Sequence, residues 1–484
     1  KRDDYYGGEV PWLTPKDLSG HNGKFIERGE RNITDEGLRN SSARLLPKDT
    51  VLITSRAPIG YVAIASNTLT TNQGFKSLVL TPGNDPHFFY YLIKSNVPRL
   101  EAVSSGSTFK EISGSVLKEV EFKIPDSDTQ EAIARVLNPL DDKIALNRKL
   151  NETLEGMARA LFQSWFVDFD PVKAKLAGVR HGRDPDKACM AALSGKLRIP
   201  PGKPKPETLA ESAEASAKAE HQLPTAEEID AALAALDSLS PAQQKSLAET
   251  AGHFPENFAE SELGLIPEGW EVRAIGDAVS IYGGATPSTK EEKFWNGENA
   301  WATPKDLSGL PSKVLISTER KITDAGVAKI SSGQLPVGTV LMSSRAPVGY
   351  LALATTPISI NQGFIAMVCD RELPNSYVLL WAEANMDEVK SNSSGSTFAE
   401  ISKKAFRPIQ VVVPNGHLLD AFHKEISGFY SQITSNEHQS RTLAELRDTL
   451  LPKLLSGELS VGEASVLAEA TADKPETMEA ATLS

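Results

Sequence analysis

The sequence predicts an α+β protein in which two mixed α/β domains, related by a pseudo-two-fold, are separated by two long helices. Three observations carry this. The stretch from Trp12 to Pro125 returns at Trp301 to Pro414, offset by 289 residues without a gap, with about 45 of 114 positions identical. A period this long marks a duplicated domain rather than a solenoid. The first copy holds strand-like pieces such as "TVLITS" and "YVAIA" between turn signals. Each copy then runs into a stretch whose apolar residues recur at three-and-four spacing.

In chain order, residues 1–127 are the first mixed domain and residues 128–170 the first helix. Its seam is Ile133, Leu137, Leu140, Ile144, Leu154 and Leu161; the same offset puts Phe422, Ile426, Phe429, Ile433, Leu443 and Leu450 in register. About four heptads of such spacing are the mark of a coiled coil. Asn147 and Asn436 hold equivalent seam positions, either fixing register or lying at the solvated edge of the seam. Pro139 and Gly428 are also equivalent, and both are poor in helix interiors. The expectation is a short helix, a bend and then a helix of about 30 residues, about 45 Å long. Residues 171–261, with "PPGKPKPE" and Ala/Glu-rich stretches, read as a linker holding one or two short helices such as "TAEEIDAALAAL". Residues 262–416 repeat the domain and 417–459 the helix; 460–484 read as a disordered acidic tail. The second domain opens with "LGLIPEGWEVRAIGDAVSIYGGATPS", for which the first has no counterpart, so the first is expected to be N-terminally truncated and short of a strand.

The formal net charge is −12, which argues against a nucleic-acid partner until its location is considered. Residues 200–262 hold 4 basic and 12 acidic side chains and residues 463–484 hold 1 and 5, which accounts for all of it. The rest of the chain is neutral overall, and a local basic face is allowed. Cys189 and Cys369 lack metal spacing and read as free thiols of a reducing cytoplasm. No apolar run is long enough for a membrane span. Gly-rich phosphate loops, GxSxG, HExxH, CxxC and an Asn-Pro-Pro-aromatic run are all missing, and no repeated motif contains a histidine. The expectation is a chain with no catalytic residues, no metal and no cofactor of its own.

The repeated blocks carry groups suited to polar recognition. "TPKDLSG" gives Thr14 and Lys16, then Thr303 and Lys305; "SRAPIGY" and "SRAPVGY" give Arg56 and Arg345. "NQGF" gives Asn72 and Gln73, then Asn361 and Gln362; "SSGSTFKEIS" gives Ser107, Thr108 and Lys110, and its repeat Ser396 and Thr397. Arginine and lysine match guanine O6/N7 or phosphate, asparagine and glutamine grip adenine, and hydroxyls bond phosphate. Local turn motifs explain many of the same letters. For Arg56, Arg345, Lys16 and Lys305, DNA contact and internal ion pairing stand level.

In this order, followed by "DDKIALNRKLNETLEGMARALFQSWFVDFDPVKAK" and with "SELGLIPEGWEV" at 261–272, these blocks resemble the specificity subunit of type I restriction-modification systems over nearly the whole chain. The resemblance implies two target recognition domains, each reading one half of a split, asymmetric site in double-stranded DNA. It implies that the two helices pack as an antiparallel coiled coil. It implies two methyltransferase subunits that methylate adenine N6 with S-adenosylmethionine, and restriction subunits that use ATP and Mg2+. Half-sites one helical turn apart are centred about 34–36 Å from each other, the order of the expected helix length. The rival expectation is a coiled-coil scaffold that recruits partner proteins without reading sequence.

Overall fold

The computed structural model describes residues 3–21, 23–56, 58–106, 110–199, 223–395 and 399–472. Its described residues divide into two compact units, one drawing on those from 3 to 147 and from 438 to 472, the other on those from 148 to 437.

In the first unit, strands β1 (Tyr6–Leu13), β3 (Arg31–Ile33) and β6 (Thr70–Thr71) form a small sheet in the order β3-β1-β6. A second sheet has the order β2-β5-β4-β7, from β2 (Phe25–Ile26), β4 (Val51–Ser55), β5 (Ile59–Ala65) and β7 (Phe75–Leu78). Strand β4 is buried throughout, so its run of apolar residues feeds both faces. Leu52 joins Leu13, Leu18 and Phe75 on one face; Val51 and Ile64 join Phe88, Tyr91 and the helical seam on the other. Ile133, Leu137, Leu140 and Ile144 of the first long helix (Ser127–Phe162) pack there with Leu443 and Leu450 of the second (Gly416–Ser456). The helices run antiparallel here: Asn147 bonds Gln439 and Ser440, while Asp141, earlier in its helix, bonds the later Arg447.

In the second unit the larger sheet has five strands in the order β11-β18-β15-β16-β13. These are β11 (Ser280–Tyr282), β13 (Val314–Leu315), β15 (Val340–Ser343), β16 (Leu351–Ala354) and β18 (Phe364–Val368). Strands β12 (Trp295–Ala302), β14 (Arg320–Ile322) and β17 (Ile358–Ile360) repeat the small sheet, in the order β14-β12-β17. A hairpin of β8 (Phe258–Ser261) and β9 (Gly264–Pro267) precedes β10 (Glu271–Ala274), which pairs with β19 (Gln410–Val413). The helices meet again through Phe162, Phe422, Ile426 and Ile433, and Asn436 donates to Asn151 at 2.8 Å. Leu154, Leu161 and Phe429 are half-buried, and Ala158 and Tyr430 sit deeper in the seam than their neighbours. Both seam asparagines are buried and bonded, not solvated.

Three expectations need correcting. Pro139 does not split its helix, which is continuous from Ser127 to Phe162. Pro139 and Arg135, whose carbonyl loses an amide partner, are both exposed, so water can serve that carbonyl. Gly428 likewise lies inside an unbroken helix, on its exposed side. The stretch 171–261 is more than a linker: helices Asp170–Arg180, Pro185–Leu193, Ala226–Leu236 and Pro241–Ala251 pack through Val172, Ala177, Cys189, Ile229 and Phe254 into the core of the second unit. Alanine-rich faces let these helices pack together, where composition alone reads a linker with one or two short helices. The acidic tail begins with a helix, Val461–Ala472, capped by Ser460 and Glu463 and burying Ala464 and Ala468 against Leu451 and Leu454.

Candidate nucleic-acid interface

In each domain the repeated blocks, far apart in sequence, meet at one end of the sheets. Strands β1 and β6 are parallel neighbours, so their C-terminal ends deliver Thr14 and Asn72 side by side. Asn72 N–H donates to the Leu13 carbonyl at 2.9 Å, and Asn72 Oδ1 accepts from Gly74 N at 2.8 Å. The Pro15 ring lies where a side chain on Gly74 would project, 2.5 Å from its Cβ site. Ser55 N then donates to the Gly74 carbonyl (2.7 Å), and the Ser55 carbonyl accepts from Ile112 N (3.0 Å). Arg56 and Glu111 face each other across an antiparallel bridge. The second domain repeats every link: Asn361 to Ala302 at 3.0 Å, Gly363 to Asn361 at 2.8 Å, Ser344 to Gly363 at 2.8 Å, Ile401 to Ser344 at 3.0 Å.

"TPKD" is a clamp. Pro15 opens a short helix, Pro15–Ser19, and one oxygen of Asp17 accepts from both Thr14 N (2.6 Å) and Thr14 Oγ1 (2.7 Å). The other oxygen accepts from Glu30 N at 2.7 Å, which pins the entry to β3. Thr303, Asp306 and Glu319 do the same at 2.7, 2.8 and 2.8 Å. Partial burial alone would raise the Asp17 carboxyl; the bonds from Glu30 and Thr14 outweigh it and hold the group below its ordinary range. Thr14 and Thr303 therefore support the loop from inside, as do Asn72 and Asn361.

The remaining predicted side chains face outward. Lys16 pairs with Glu30 at 2.8 Å and Lys305 with Glu319 at 2.7 Å, all four largely exposed. Lys16 and Lys305 are raised by hydrogen bonding to these partners. Arg56 and Arg345 each stand 3.8 Å from a carboxylate, Glu111 and Glu400. Gln73 and Gln362 are exposed, and Gln362 Oε1 accepts from Thr286 Oγ1 at 2.7 Å. Lys110 is exposed, with Ala399 at its repeat position. Ser107, Thr108, Ser396 and Thr397 lie outside the described residues. Lys16, Lys305, Arg56 and Arg345 thus each have an acidic companion that motif reading passed over, although Glu30/Glu319 and Glu111/Glu400 are identical between the copies. Exposed pairs of this kind exchange partners at little cost, so a phosphate or base edge can replace the carboxylate.

Among the described residues no group of three or more His, Cys, Asp or Glu could hold a metal, and no helix is long and apolar enough to cross a membrane. Burial pushes the Cys189 thiol up to about 12, which leaves it an inert packing group.

Residues 1–156 and 267–445 match the family described as the type I restriction modification DNA specificity domain, each match covering one domain and much of its helix. The chain is 29% identical over 470 residues to the type I restriction enzyme MjaIX specificity subunit of Methanocaldococcus jannaschii, covering 96% of this chain and 90% of that one. It is 29% identical over 456 residues to the HindI specificity subunit of Haemophilus influenzae, covering 92% and 89%. The crystal structure of a type I S subunit from M. genitalium aligns over 93% of this chain and 94% of that chain, with 17% identity and a TM-score of 0.45.

Proposed function

The chain belongs to the type I restriction-modification DNA specificity family, and from that premise we propose that it is the DNA-reading subunit of such a system. Each domain reads one half of a split, asymmetric site, and the reading surface is the end where the repeated blocks meet. The observation that carries this is the repetition, bond for bond, of a loop cluster that presents Lys, Arg and Gln side chains at one end of each domain's sheets. Loops fixed by a shared scaffold suit a reader whose target differs between copies. Two methyltransferase subunits and restriction subunits would bring S-adenosylmethionine, ATP and Mg2+, and with them the adenine methylation and cleavage; this chain directs them in the cytoplasm.

The test is to map methylated adenines in cells carrying the chain with its methyltransferase partners. Arg56→Ala or Gln73→Ala should change the methylated sequence in one half-site and leave the other as it was. If both halves change together, or if binding ignores base changes in either half, recognition is not divided between the domains and a non-reading scaffold fits better.

A further inference from the structure

We propose that Arg320 is a base-reading residue of the second domain, an assignment that rests on the DNA-reading role above. Strand β12 carries a bulge. Trp295 and Asn299 of β12 both pair with Ile322 of β14, so the residues between them loop out. Gly297 permits this, since a Cβ there would lie 2.5 Å from the Ile322 carbonyl oxygen and 2.6 Å from Thr323 Cα. The bulge brings Trp295 back onto Trp301, edge to face, with ring centroids 5.0 Å apart. Both indoles are buried and locked: Trp295 Nε1 donates to the Ser288 carbonyl at 3.0 Å and Trp301 Nε1 to the Ala285 carbonyl at 3.2 Å.

Arg320 is the ladder partner of Trp301, so the two side chains share a face of the sheet. Its guanidinium lies 3.6 Å from the Trp295 ring centroid and 5.4 Å from that of Trp301, and the residue is exposed. Lys305, Lys321 and Arg345 each have a carboxylate partner, Glu319, Glu298 and Glu400; no ion pair is recorded for Arg320 among the described residues. The surface is continuous with the motif cluster. Strand β12 runs into Thr303, its neighbour β17 runs into Gln362, and Gln362 bonds Thr286, next to the Ala285 that holds Trp301.

A guanidinium stacked on a fixed ring keeps its plane and little rotamer freedom, while its in-plane N–H donors stay open. A phosphate needs charge but no fixed plane. The O6/N7 edge of guanine in the major groove needs a planar fork held at a set angle, and that is what the indole pair supplies.

The full chain with its methyltransferase subunits is compared as wild type, Arg320→Lys and Arg320→Ala, with thermal melting as a check on folding. Arg320→Lys keeps the charge and loses the fork. It should cut the preference for guanine at one or two positions of one half-site by about 10- to 100-fold, with the other half-site and the salt slope of binding unchanged. Independently of any variant, 7-deazaguanine placed at those positions should weaken wild-type binding by about 10-fold or more. If Arg320→Lys preserves the preference, or if deazaguanine is tolerated at every guanine of that half-site, Arg320 does not read a base. A uniform loss of affinity confined to Arg320→Ala, with a shallower salt slope, would make it a phosphate contact and overturn the assignment. Should the wild-type complex itself show no sequence preference, it is the DNA-reading role that fails.

Discussion

The two domains share one loop cluster and differ in what surrounds it. In the second, β11 extends the sheet beyond β18, and β10 covers β19 along four residue pairs. In the first, β7 is the sheet edge, and residues 121–124, which match β19 by the repeat, pair with no strand. Val79 and Ile124 are accordingly about half exposed, at 55% and 47%. The aromatic platform differs in the same way. Trp301 is 2% exposed under Ala285, whereas Trp12, 5.9 Å from Tyr6, is only half-buried. The loop bonds nevertheless agree to about a tenth of an ångström. The cluster is therefore held by its own internal links, and the edge strands add rigidity to the domain without shaping its tip.

A compensating difference lies where each domain meets the helices. In the first, Asp141 gathers a nearly buried set: Arg447 Nη1 at 2.6 Å, Tyr91 Oη at 2.6 Å and Lys24 Nζ at 3.8 Å, with Asn138 accepting from Lys24 at 2.6 Å. In the second, Lys313, the counterpart of Lys24, bonds Glu383 at 2.6 Å in a site still open to water. Asp141→Ala leaves Lys24 buried without a carboxylate and Arg447 with only the exposed Asp448, and should destabilise the first unit by about 3–5 kcal/mol. Glu383→Ala leaves Lys313 beside Glu155 and solvent and should cost about 1 kcal/mol. Hydrogen exchange at β4 and β15 amides separates the two effects, and equal losses would erase the distinction.

Acid sharpens the same contrast. Burial works against ionisation of Asp141, but Arg447 and the hydrogen bond from Tyr91 prevail and keep the carboxyl below its ordinary range. A depressed carboxyl contributes its stability above its unfolded value and loses it as pH falls through the folded one. Protection of β4 should thus hold to about pH 4 and then fall, and Asp141→Asn should remove that step. A step unchanged in Asp141→Asn would place the acid sensitivity elsewhere.

The glycines of the loop cluster test equivalence. Gly74→Ala would put a methyl 2.5 Å from Pro15 Cγ, and Gly363→Ala one 2.8 Å from Pro304 Cγ. Each should cost about 1–3 kcal/mol locally, more in the first domain, read as faster exchange at Ser55 or Ser344 N–H.

The duplication, the helical seam and the identity of the loop blocks were all legible in the sequence, because identity at a fixed offset and three-and-four spacing are local signals. The division of labour inside the blocks was not. Asp17 serves Glu30, thirteen residues on, and Pro15 packs on Gly74; such pairings appear only once strands β1 and β6 lie side by side. Thr14 and Asn72 looked like ligand-facing polar groups for that reason. Arg320 went unnoticed for the opposite one: its value comes from a bulge six residues before Trp301, and "RKITD" on its own is an unremarkable strand start. The packed helices of 171–261 were hidden by alanine, which buries well without raising hydrophobic periodicity.

The smallest expected effect concerns the acids beside the loop lysines. Glu30 and Glu319 neutralise Lys16 and Lys305 at the tip of each domain, which fits a chain of net charge −12 that must not cling to every duplex. Glu30→Gln or Glu319→Gln should leave the fold intact and raise affinity for unrelated DNA by about twofold to fivefold, steepening the salt dependence by up to about 0.9 per phosphate gained. The methylated sequence should stay the same, since no base-facing group is lost. Because the two tips are built alike, the two variants should behave alike despite the open edge of the first domain. A gain in only one of them would mean that the surroundings, and not the pair itself, decide how the tip meets DNA.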